Sequence, residues 1–154
     1  MKKIALLLCL ILVSPLCQAT TLDLDGVFDK LHAERMILKQ DYEETSKLMK
    51  PLKKKKLASA TDLMKAIADV LERTGSEGAL LSVLDRVTDR QAKADAEKLV
   101  REHYASLADL TEMDVEFVKL VARDHKTKEL TALASKVQGD IQKTADRYRA
   151  LSKE

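Results

Sequence analysis

LDGVFDKLHAERMILKQDYEETSKLMKPL, residues 24–52, sets Leu24, Phe28, Leu31, Arg35, Leu38, Tyr42, Thr45, Met49 and Leu52 at alternating steps of four and three. That spacing lines one face of an α-helix and has the period of a coiled-coil seam, interrupted at Arg35 and Thr45. Pro51 cannot donate a backbone hydrogen bond and turns Lys50 away from helical geometry, so the helix should end there. No stretch of the chain alternates apolar and polar residues as a half-buried strand would. Ala, Leu, Lys, Asp and Glu dominate, and Trp and Asn are absent. Apart from Asp these residues favour helix, and the expected fold class is all-α.

Downstream, the same signals repeat. Ser59 with Asp62, or Thr61, can cap a second helix that carries Leu63, Met64, Ile67, Val70 and Leu71 inward and stops at Thr74-Gly75. Ser76 can open a short third helix with Leu80, Leu81, Val83, Leu84 and Val87 buried. Thr88, with Gln91 three residues on, can cap a fourth helix reaching about Leu107 and burying Leu99, Val100 and Leu107. Thr111 is a candidate cap for a fifth helix with Met113, Phe117, Val118 and Val121. A last helix from near Thr127 aligns Leu130, Ala134, Val137, Ile141, Thr144, Tyr148 and Leu151 on one stripe, with Gly139 inside it. The expectation is a bundle of five to six helices whose long first and last members pack antiparallel.

Met1 to Ala19 reads differently. Lys2 and Lys3 precede the apolar run Ile4 to Leu16, and Cys17-Gln18-Ala19 offers small residues for cleavage, the layout of a secretory signal peptide. The run is shorter than the roughly 20 apolar residues of a membrane-spanning helix. Leu16 and Pro15 before Cys17 argue against a lipoprotein anchor there, which usually follows Gly, Ala or Ser. Residues 20–154 would then form a single periplasmic or secreted helical domain. Both cysteines, Cys9 and Cys17, lie in the leader, so the domain has no disulfide to hold it and depends on packing. Without Lys2 and Lys3 its basic residues equal its 25 acidic ones, and the formal charge of +2 becomes zero.

Few residues suggest chemistry. No serine lies in a Gly-x-Ser-x-Gly elbow or a Ser-x-x-Lys pattern. Gly75-Ser76-Glu77-Gly78 lacks the preceding strand and the Lys-Ser/Thr ending of a phosphate loop, and reads as a turn between helices. Acidic and basic residues are interspersed along every helix, which is the pattern of solvated faces with weak ion pairs. A binding protein, not an enzyme, is expected. A di-iron bundle needs Glu-x-x-His on two helices, whereas Asp29, Val100 and Ala122 stand three residues before His32, His103 and His125. His125 and Glu129, four apart, could still supply two ligands to a metal, with His32 as a third.

Asp114-Val115-Glu116-Phe117-Val118 through Asp124-His125, followed by Glu129-Leu130-Thr131-Ala132-Leu133-Ala134, resembles a family of small secreted ferritin-like domains of unknown function. In that family a Phe-containing helix ends in a His-His block; this chain has a single histidine there. The resemblance covers about the last forty residues. It implies a helical fold and an exported setting, and makes a metal-binding or degenerate ferritin-like domain the alternative function.

Lys50-Pro51-Leu52-Lys53-Lys54-Lys55-Lys56 is the most distinctive segment after the leader. Five lysines in seven residues concentrate positive potential, suited to an anionic envelope surface or an acidic protein. Without interleaved aromatic residues it has no platform for nucleic-acid bases. The seam of the first helix could serve a second purpose as a homodimer or docking face. The sequence therefore points to an exported helical protein that acts by binding, its partner an envelope protein or an anionic envelope component, of an inhibitor, immunity, chaperone or accessory type. No cofactor is implied.

Overall fold

A computed structural model describes residues 22–52, 54–124 and 127–154, with Lys54, Lys55 and Lys56 described as helix backbone. The leader read in Met1–Ala19 lies outside these residues, as do Lys53 and His125. The described chain forms four helices: α1 (Leu24–Met49), α2 (Lys54–Asp85), α3 (Arg90–Asp124) and α4 (Lys128–Leu151). The class is all-α as expected, but the number is four, because two anticipated breaks do not occur. The two middle helices, 32 and 35 residues, are also longer than the first and last, 26 and 24 residues.

The first missing break is at Thr74-Gly75. There Thr74 Oγ1 donates to the Val70 carbonyl at 3.1 Å and Ser76 Oγ to the Arg73 carbonyl at 2.8 Å, so both hydroxyls are absorbed by the helix itself. Neither glycine adopts a positive φ. Both instead face α1: a Cβ on Gly75 would meet the end of the Arg35 side chain, and one on Gly78 would lie 3.0 Å from the Phe28 ring. The second is at Thr111, which is fully buried and donates to the Leu107 carbonyl at 2.7 Å. A threonine bonded back into its own helix carries the same residue signal as a cap.

Other boundaries fall close to where the residues place them. Gly26 N donates to Asp23 Oδ1 at 3.2 Å and opens α1. Pro51 follows its end, where Leu52 N bonds the Met49 carbonyl at 3.0 Å. α3 is capped by Asp89, one residue beyond Thr88, with Ala92 N donating to its Oδ1 at 2.8 Å.

Short connections give an up-down-up-down bundle, without the long crossover of ferritin-like folds. α1 packs on α2 and α4, α3 packs mainly on α4, and among the described residues α1 and α3 occupy opposite corners without packing. Glu34 pairs with Arg147 at 3.0 Å and Glu44 with Lys136 at 2.7 Å, so α1 and α4 run antiparallel. The core has two apolar clusters. One gathers around Leu38, Leu63, Ile67, Val118 and Ile141, the other around Leu31, Leu84, Leu107, Tyr104 and Tyr148. Between them lies a polar belt, in which Arg73 binds Asp114 and reaches Thr111 Oγ1 at 3.3 Å, and Glu77 meets His103. Among the described residues no helix is long and apolar enough to cross a membrane.

Candidate partner-binding face

α3 carries two apolar stripes. The inward one, through Val100, Tyr104, Leu107, Val115, Val118 and Val121, fills the core. The second steps through Leu99, His103, Ser106, Leu110, Met113, Phe117 and Leu120 at alternating intervals of four and three, a seam about 33 Å long at helical rise. Its apolar members remain outside: Leu99 is 66% exposed, Met113 68%, and Leu110, Phe117 and Leu120 also lie at the surface. Leu99 was expected on the buried face of its helix with Val100 and Leu107, and only those two are buried. A helix with two stripes about a quarter-turn apart can bury only one when its remaining neighbours sit on one side.

The second stripe runs beside α2. There α2 offers Leu80 and Val83, the latter 63% exposed, and the connection after it adds Val87. With Leu84, Ala96, Leu99, Val100 and His103 they line a groove of about 260 Å³ that is almost wholly apolar. Beyond the groove, Arg73–Asp114 and Glu77–His103 join α2 and α3 along their middle.

At the mouth of the groove His103 Nε2 lies 3.2 Å from Glu77 Oε1. Glu77 is 1% exposed, and burial pushes its carboxyl above the ordinary range while His103 pulls the other way. The hydroxyls of Tyr104 and Tyr148 are buried without a well-formed hydrogen bond, and desolvation raises both well above the usual phenol value. Their rings stack at 5.9 Å.

Charge is arranged just as regularly. Asp95, Glu102, Asp109 and Glu116 recur every seven residues along the solvent edge of the exposed seam. From Glu102 to Val118 α3 bears carboxylates and no Lys or Arg. Arg149 on α4 meets Asp109 at 2.8 Å and Glu112 at 2.7 Å, and Lys119 meets Glu116. These pairs are solvent-exposed, where such contacts are worth little.

The residues singled out from sequence fall elsewhere. Lys50 is exposed at the end of α1, and Lys54 to Lys56 form the first turn of α2. His32 stacks on Phe28 at 6.0 Å and lines a depression between α1 and α2 with Arg35, Lys39 and Glu77. Glu129 instead borders a shallow hollow with Glu44 and Lys47. His32 and Glu44 are three turns apart, about 18 Å along α1, so the structure does not bring His32 and Glu129 together. Among the described residues no group of three His, Cys, Asp or Glu side chains is placed to hold a metal. In α1 the buried line runs through Val27, Leu31, Leu38, Asp41 and Thr45, which leaves Phe28 and Tyr42 at the surface.

Comparison with protein families, with curated proteins and with solved structures finds no significant match.

Proposed function

We propose that this chain is an exported helical binding protein that presents the outer seam of α3 and the adjoining α2–α3 groove to a protein partner. The observation that carries this reading is the exposed apolar line from Leu99 to Leu120 at coiled-coil spacing. Apolar residues scattered singly on a surface need no explanation, whereas Leu110, Met113, Phe117 and Leu120 along one edge, with Leu99 beside an apolar groove, group as an interaction site would. Its geometry is that of a face that receives a helix.

Met113 and Phe117 are exposed, so replacing both with aspartate should leave the fold intact while breaking the line. Tagged residues 20–154 should recover a stoichiometric protein from native envelope extract at moderate salt, and Met113→Asp/Phe117→Asp should recover none. Equal recovery by both proteins would place the contact elsewhere.

A second reading, contact with an anionic envelope surface, is favoured by the first turn of α2. Three lysines stand there with no carboxylate, so side-chain charge adds to the positive end of the helix dipole. Neutralising Lys54 to Lys56 should then abolish binding to anionic vesicles; unchanged binding would remove this reading.

A further inference from the structure

We infer that the partner seated on α3 is an amphipathic helix whose own apolar seam is edged by lysine or arginine. This rests on the reading of the outer α3 seam as the binding face, and adds the chemistry of the occupant. The seam Leu99 to Leu120 supplies knobs at seven-residue periodicity over about six turns of helix. A helix laid along it can bury Leu110, Met113 and Phe117 and continue into the groove beside Val83 and Leu99. Along the solvent edge such a helix meets Asp95, Glu102, Asp109 and Glu116 in succession, at the flanking positions that set partner choice in paired helices.

The same row selects against a second copy of this chain. In an antiparallel pair of α3 helices the two acidic rows face one another, carboxylate against carboxylate, except where Arg123 comes opposite the row. In a parallel pair the row would face Val100, Leu107, Asp114 and Val121, of which the three apolar members are already buried within their own bundle. An anionic bilayer is disfavoured by the same charge, because the carboxylates lie at the edge of the apolar line that would insert.

The test uses residues 20–154 and two synthetic peptides of about three heptads. Both have Leu and Ile at the seam; one has Lys at the flanks, the other Glu. Fluorescence anisotropy at low salt should give the Lys-flanked peptide at least tenfold tighter binding. That preference should shrink at high salt and in Glu102→Gln/Asp109→Asn/Glu116→Gln, a variant altered only at exposed positions, whose helicity is checked by circular dichroism. Met113→Asp/Phe117→Asp should lose both peptides. Equal binding of the two peptides would overturn the basic partner while leaving α3 as the face. Tighter binding to phosphatidylglycerol vesicles than to either peptide, or a concentration-dependent dimer in sedimentation that Met113→Asp/Phe117→Asp abolishes, would overturn it in favour of a lipid surface or a second copy.

Discussion

Gly139 lies on the exposed side of α4 with nothing within 4 Å of where a Cβ would stand. Its only effect on α4 is the loss of helix propensity. Gly139→Ala should stabilise the domain by about 1 kcal/mol and raise the thermal midpoint by about 4 °C, read by circular dichroism. Glu77 behaves differently. Burial raises its carboxyl pKa in the folded chain above the value it has when unfolded. Its contribution to stability is therefore present below the ordinary carboxylate range and is lost as pH rises through the raised value. Urea midpoints from about pH 4 to about pH 8 should show Glu77→Gln gaining on wild type as pH increases. A constant difference would mean that the carboxylate is not penalised by its surroundings. Asp41, Glu34 and Asp114 are raised by burial too, so some slope should survive the substitution.

At the scale of the element, periodicity was a good guide to where helices run and a poor one to where they stop. Pro51 and the stripe from Leu130 to Leu151 were legible because each has one physical meaning. Thr74-Gly75 and Thr111 carry two meanings, cap or helix interior, and only the neighbours decide. Gly75 and Gly78 lie against the Arg35 and Phe28 side chains, a contact between helices that no local window contains. The phase of α1 was misjudged for a related reason: Asp41 is fully buried against Lys136 at 2.9 Å, so the true core line passes through a residue that hydropathy assigns to solvent. Asp89, not Thr88, caps α3. Asp89→Ala should cost about 1 kcal/mol in the urea midpoint, whereas Thr88→Ala should change it little.

For the whole molecule, four helices in up-and-down order bury one stripe each, and among the described residues none covers the second stripe of α3. Both stripes were present in the sequence, at Val100–Val121 and at Leu99–Leu120. Which one faces inward depends on α3 packing chiefly on α4, a contact that no local stretch of sequence contains. The acidic heptad row was equally legible and was absorbed into the general mixture of charge. It gains meaning only once the line beside it is known to be exposed. The lysine run, conspicuous in sequence, has only Lys50 among its side chains described, and that residue is exposed at the far end of α1.

Occupation of the outer seam of α3 by a protein has a direct physical signature. It is tested most directly by placing a photo-crosslinking residue, one position at a time, at Leu99, Met113 and Phe117, and at Gly139 and Gln142 on α4, then irradiating in native envelope extract. One discrete adduct, of the same mass, is expected from all three α3 positions and none from the α4 positions. No adduct from α3, or equal labelling from both helices, would contradict it.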